Sequence, residues 1–402
     1  MVNKLHKKVW ERFVRMPEGH LLDYVGYNNE VFYPTAEECR ASNPNALGWW
    51  TPIENGAFFG GLYAYALIKE YDRAPNDQAL KEINILMSGL YLLEEVGQVD
   101  GFIARGVADD GASHFPFSSD DQLFPWVRAV YAYSKSPACH DKKDAEERLI
   151  RVLRAVRSYG WQIPTDIAGL FRGSPLTEHS DWRNASGLLQ LAAILADVTK
   201  SDEDRAEFER LADEAPQGSI FTRAEIASHG YAVDMIAYLG TKQTWICLGN
   251  HLGLQILAEL DPKRRDCYLQ GMERNGTTAL DVIWDINKYD NSKVGFDVNW
   301  RRICEKYESW NGDPGLAVKI AMNELELWNK EIAPHRNMEN HVLGNALFAA
   351  WIAVTSPDVR VAREAYKRLL KCAERVDWDS LHLPYAFVAE AAMLAARRIE
   401  IQ

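Results

Sequence analysis

Three short stretches set acids just ahead of apolar helical runs: Thr51-Pro52-Ile53-Glu54, Ser119-Asp120-Asp121-Gln122 and Ser180-Asp181-Trp182-Arg183. Each suits a helix cap. Ser, Thr and Asp side chains take up free N–H groups of a first turn, and Glu or Gln three residues on completes a capping box. Each also suits acid–base chemistry. Cleaving a glycosidic bond needs one carboxyl to protonate the leaving oxygen and another to activate water or attack carbon. Asp121, Asp120, Glu54 and Asp181 form the candidate catalytic set, provided the fold gathers them. Asp120 and Asp121 cannot be the pair by themselves, because adjacent side chains on a helix point about 100° apart. One is expected to face a cavity and the other to cap or touch a loop.

Residue types that bind sugars surround these acids in sequence. Trp49 and Trp50 precede Glu54, Arg105 and His114 lie in "DGFIARGVADDGASHFPF", and His179, Trp182 and Arg183 lie in "LFRGSPLTEHSDWRN". Further along come Trp310, then Arg336, Glu339 and His341 within "HRNMENH". Tryptophan suits the face of a sugar ring, and arginine suits a carboxylate through its planar fork. Arg105, Arg183 and Arg336 are the candidates for a uronate clamp, and Trp49, Trp50, Trp182 and Trp310 for stacking.

No metal or cofactor is expected. His179/Asp181 and Glu339/His341 are two apart, which is no helical ligand pair, and HExxH is missing. A calcium site around Asp109 and Asp110 is the lesser alternative. "GAFFGG" (56–61) lacks a preceding strand, so it reads as close helix packing and not a phosphate loop.

The elements that must position these groups are helices. Apolar residues recur at helical spacing, broken by Pro, Gly, Asn and Asp. One set is apolar nearly all round, as a buried helix is: 56–71, 121–134, 181–199, 244–260, 340–355 and 384–398. A second set is amphipathic: 78–96, 142–158, 202–213, 263–281 and 359–376. Each of these follows a buried helix after a short break, and an N-terminal helix near 4–15 supplies the missing sixth.

The predicted class is all-α, an (α/α)6 toroid in one domain over 1–402, with a structural repeat of about 60 residues. Its long connections gather on one rim, with 283–339 an insertion over that rim. Long loops in compact folds tend to be functional, and helix N-termini favour anions. That rim is where the site is expected.

Composition excludes some classes. With 57 acidic against 45 basic residues, net charge −12, the chain lacks the basic stripe that nucleic acid needs. No run of about 18 apolar residues suggests a membrane span, and the basic N-terminus lacks the apolar stretch of a signal peptide. The six cysteines form no CxxC pair, which suits reduced thiols in the cytoplasm.

"SSDDQLFPWVRAVYAY" and "DWRNASGLLQLAAIL", each opening a buried helix, resemble the six-hairpin glycosidases, nearest to the unsaturated glucuronyl and rhamnogalacturonyl hydrolases. The resemblance implies a general-acid aspartate at Asp120 or Asp121 and an acidic oligosaccharide as substrate. It departs where Trp182-Arg183-Asn184 runs into Ala185-Ser186-Gly187. Two other activities fit the same scaffold. A lyase on uronates would use Tyr63 or His179 as base with Arg183 and Asn184 on the carboxylate. An N-acylglucosamine 2-epimerase-like isomerase would recruit histidines such as His114 or His341. A protein-binding platform is the non-enzymatic alternative.

Overall fold

The computed structural model describes residues 1–178, 182–231, 243–292, 298–303, 310 and 312–398, with Trp182, Arg183 and Pro314 described in backbone only. These residues are mainly helical. Two minimal antiparallel ribbons accompany the helices, Val14–Arg15 with His20–Leu21 and Ile163–Pro164 with Phe171–Arg172.

The principal helices are α1 (Val2–Arg12), α2 (Gly56–Arg73), α3 (Asp77–Glu95), α4 (Asp120–Lys135), α5 (Lys142–Ser158) and α6 (Trp182–Thr199). They continue as α7 (Asp202–Asp213), α8 (Thr244–Leu260), α9 (Arg265–Val282), α10 (Asn345–Val354), α11 (Val359–Ala373) and α12 (Ala386–Ala396). The even-numbered helices touch one another in order, α2 on α4, then α6, α8, α10 and α12, and α12 returns to α2. Each is backed by the odd-numbered helix that follows it, and α12 is backed by α1.

The two patterns explain the two roles. In α5 the buried residues Ala145, Leu149, Val152, Leu153 and Val156 recur every three or four positions, one apolar stripe with charged residues opposite. In α10 every residue from Asn345 to Val354 is buried, so the helix has no face to offer to water. The glycines of "GAFFGG" do set a close approach: a Cβ on Gly61 would lie 2.7 Å from the Pro125 carbonyl of α4.

The fifth helix of the expected buried set departs from expectation. Its α-helical part begins only at Asn345, and Met338–Gly344 before it winds as a wider π turn. That turn draws Glu339 inward, where it accepts N–H bonds from His382 and Leu383. None of the helices among the described residues is long and apolar enough to cross a membrane.

Connections from an even helix to the next odd one are a few residues long. Those from odd to even are longer, and the one from α9 to α10 contains a further helix, Pro314–Leu327.

Candidate functional site

A cleft opens where the even helices begin. One half encloses about 1030 Å³ and the other about 870 Å³, and Trp49, Phe58, Asp121 and Trp245 border both. Arg105, Arg172, Gln243 and Arg336, one from each of four long odd-to-even connections, also border it. The cleft is therefore built from first turns and long loops.

The helix starts do not cap themselves as the sequence suggests. Helices α3, α5, α7 and α11 begin with Asn76, Asp141, Ser201 and Asp358, each accepting a first-turn N–H on its side chain. The even-numbered helices α2, α4, α8, α10 and α12 have no bond from their N-cap side chains. The expected box at Thr51–Glu54 is not formed, because α2 starts at Gly56. Thr51 Oγ1 instead donates to the Gly48 carbonyl (2.6 Å), and Glu54 Oε2 accepts the Trp50 N–H (2.8 Å). The helix dipoles at such ends favour negative charge in the cleft.

The box at Ser119–Gln122 is likewise spent on other partners. Arg105 Nη2 donates to Ser119 Oγ (2.5 Å), and the Ser119 hydroxyl donates to Asp121 Oδ1. Gln122 reaches across to α2, accepting the Phe58 N–H (3.0 Å) and donating to Asn55 Oδ1 (3.2 Å). Asp121 thus faces the Ser119 hydroxyl, the Gln122 amide at 3.4 Å and the Arg105 guanidinium at 3.7 Å. Asp120 is half-buried, borders only the larger half of the cleft, and accepts the Asp121 N–H (3.1 Å). Pro125 adds to this opening, since it has no N–H for the Asp121 carbonyl one turn back.

Glu54 sits in the smaller half with Asp23 and Arg336. Arg336 Nη2 donates to Asp23 Oδ2 (3.1 Å) and lies 3.5 Å from Glu54 Oε2. Asn55 Nδ2 bridges the two acids, 2.6 Å from Asp23 Oδ1 and 3.3 Å from Glu54 Oε1. Two carboxyls share one guanidinium in a buried place. Burial and the neighbouring Asp23 outweigh Arg336 and push the Glu54 carboxyl up to about 7.

Trp49 is held by its own turn. Asn45 Oδ1 accepts the Leu47 and Trp49 N–H groups (3.1 Å each), and Asn45 Nδ2 donates to buried Glu324 (2.7 Å). Trp50 adopts φ +73, a strained conformation for a bulky residue. Three bonds hold it there: its N–H to Glu54, its carbonyl to the Tyr24 hydroxyl (2.7 Å) and its indole N–H to the Ala321 carbonyl (3.1 Å).

The remaining candidates divide. His341 is exposed and borders the smaller half. His114 turns away to Asp166 (2.8 Å) because that carboxylate also holds the 98–99 backbone, so it is a loop clasp. Trp310 packs edge-on against Phe117, with its indole N–H on the Asp313 carbonyl (2.6 Å), in a satellite core beside the insertion. Glu339 is fully buried and spent on the His382 and Leu383 amides, away from the cleft lining. Tyr63 lies in the wall behind α1, donating to Glu390 (2.9 Å). His179 and Asp181 lie outside the described residues, as do the side chains of Trp182 and Arg183. Asp110 is taken up by the Ala112 and Ser113 amides, and no cluster of metal-ligating side chains occurs among the described residues.

Asp23, Asn55, Trp245 and Arg128 border or organise the cleft and were not singled out by sequence. Asp23 lies in a segment without periodicity, so only its charge close to the Tyr24 and Tyr27 aromatics marked it. No protein-family model, curated protein or solved structure matches this chain.

Proposed function

We propose that the chain is an (α/α)6 toroid working as a cytoplasmic glycoside hydrolase on short, uronate-bearing oligosaccharides. The observation that carries this reading is that Asp121 and Glu54, from the starts of two successive inner helices, border the same half of one sugar-sized cleft beside Trp49. The closed order of helix contacts, with α1 behind α12, supports the toroid.

The two carboxyls differ in environment, as general acid and base must. Glu54, buried beside Asp23, holds its proton to about 7 and is the group to protonate the leaving oxygen. Asp121 faces a hydroxyl, an amide and a guanidinium, and it orients the attacking water. This exchanges the roles expected from the resemblance, in which the aspartate is the acid. Asp120 turns to the larger half and contacts ligand there.

Substrates with two leaving groups test the assignment. Glu54→Gln should lose turnover of a uronate disaccharide by about 100-fold or more, yet keep most of its rate on an aryl uronide, whose phenolate needs no proton. Asp121→Asn should lose both. Full activity of both variants on both substrates rules out this pair, and the opposite pattern returns the acid role to Asp121.

A lyase reading has one observation in its favour, because Tyr385 borders the cleft with Arg336 and bonds Asn340 (2.5 Å). Burial, however, raises the proton affinity of that phenol, which works against a base. Absorbance near the unsaturated-uronide band decides between them. It rises for a lyase, falls for hydrolysis of an unsaturated uronide and stays flat for a saturated glycoside.

A further inference from the structure

Arg105 and Arg336, the described members of the expected uronate clamp, are both committed to the protein. Arg105 holds the Glu54 carbonyl and the Ser119 hydroxyl, and Arg336 holds Asp23. Arg128 also borders the cleft, and its bonds go to a carbonyl and an amide oxygen, not to an acid. Arg128 lies on α4, seven residues past Asp121, which is about 10 Å of helix rise and the span of a single sugar ring with its substituents.

Arg128 is 1% exposed, and no carboxylate pairs with it among the described residues. Its Nη2 donates to the Gly249 carbonyl (2.7 Å) and to Gln190 Oε1 (2.9 Å), and its Nε to the same oxygen (3.3 Å). Nη1 has no partner. The Gln190 Nε2 amide and the Tyr65 hydroxyl also lack partners. Arg128 Nη1 and Gln190 Nε2 are unspent donors, and only an acceptor satisfies them. Burial of this uncompensated guanidinium lowers its pKa to about 10, with Tyr65 opposing. A buried cation without a counter-charge is costly, and removal of the cost calls for an anion. Beside it the cleft is open, since a Cβ on Gly249 would meet nothing within 4 Å.

We propose that Arg128, with Gln190 beside it, is the subsite for the ligand's carboxylate. The Nη1 edge of the guanidinium supplies the charge-assisted hydrogen bonds, and the Gln190 amide supplies a neutral one. The ligand class is a hexuronate, its ring lying between Arg128 and the Asp121–Glu54 pair. The subsite rests on the acidic-sugar reading above.

The experiment is calorimetric titration of the intact protein with glucuronate and with glucose, neither of which can be cleaved. The wild-type protein should bind glucuronate at least 10-fold more tightly than glucose, and Arg128→Gln should abolish that preference. Gly249→Val fills the open space while keeping the carbonyl that accepts from Arg128, so it should abolish glucuronate binding even if Arg128 variants do not fold. Equal binding of the two sugars by the wild type overturns the subsite, as does a preference that survives in Arg128→Gln or in folded Gly249→Val. Because no bond is broken, failure of the hydrolase reading shows separately, as absent turnover with glucuronate preference intact.

Discussion

Replacing Glu54 by Gln tests the electrostatics of the cleft without any substrate. Glu54 is 8% exposed, and burial with the like charge of Asp23 raises its carboxyl to about 7 from an ordinary 4.5. The consequence for stability has a definite sign. Below about pH 4.5 both folded and unfolded chains hold the proton, and the group adds no dependence on pH. From there to about 7 the unfolded chain has released it while the folded chain keeps it. The unfolded state then binds fewer protons, so stability falls by about 1.4 kcal/mol per pH unit. Between pH 5 and pH 8 the loss is about 2.5 kcal/mol, and it changes little above that. Glutamine does not titrate, so the variant lacks this slope, whatever fixed offset arises from losing the contact with Arg336. For 402 residues the melting entropy is about 0.8 kcal/mol/K, so the effect amounts to about 3 °C. Melting of both proteins at pH 5 and pH 8, followed by circular dichroism, should show the variant gaining about 3 °C on wild type at the higher pH. An identical difference at both pH values would refute the claim that Glu54 is a proton-holding carboxyl.

Other perturbations follow from the same geometry. Trp49→Ala should raise KM for an oligosaccharide about 10-fold, the worth of one aromatic stacking contact, with melting little changed; an unaltered KM takes Trp49 out of the ligand's path. Gly61→Ala should cost about 1–3 kcal/mol, because its Cβ would press within 2.7 Å of the Pro125 carbonyl, and a melting point equal to wild type would mean α2 and α4 do not approach so closely. His6 bonds Glu390 (2.8 Å) and Glu82 (3.0 Å); burial opposes its charge, but these two acids outweigh burial and raise it to about 10. Burial also raises Glu390 despite His6, so desolvation offsets part of the pair's attraction. The stabilisation is complete below about pH 6.5 and disappears as pH passes 10, so His6→Ala should melt several degrees lower at pH 6 and nearly level with wild type at pH 10.5. A constant deficit would mean that packing, not charge, ties α1 to the fold.

Much of the architecture was legible because helical periodicity is local. The amphipathic stripe of Lys142–Ser158 and the all-round apolar run of Asn345–Val354 report their own burial, residue by residue. The same reasoning fell short at helix starts. Ser119 and Gln122 have the composition of a capping box, but a box forms only if nothing better arrives. Arg105 and Phe58, from other segments, arrived. The helix at Asn345–Val354 shows the same limit, since the π turn before it holds Glu339 against two amides 43 and 44 residues away.

The sequence by itself determined the helices, their amphipathic or all-round buried character, and a set of loops rich in Trp, Arg and acids. Tertiary structure alone decided which of those groups meet. Asp23 and Arg336, 313 positions apart, join Glu54 and set its proton affinity, while Arg128 is left without an acid. The physical reason is one of range. Propensity and periodicity act within a few turns of chain, whereas a carboxyl's charge state depends on desolvation and on neighbours that only the packed fold brings within a few ångströms.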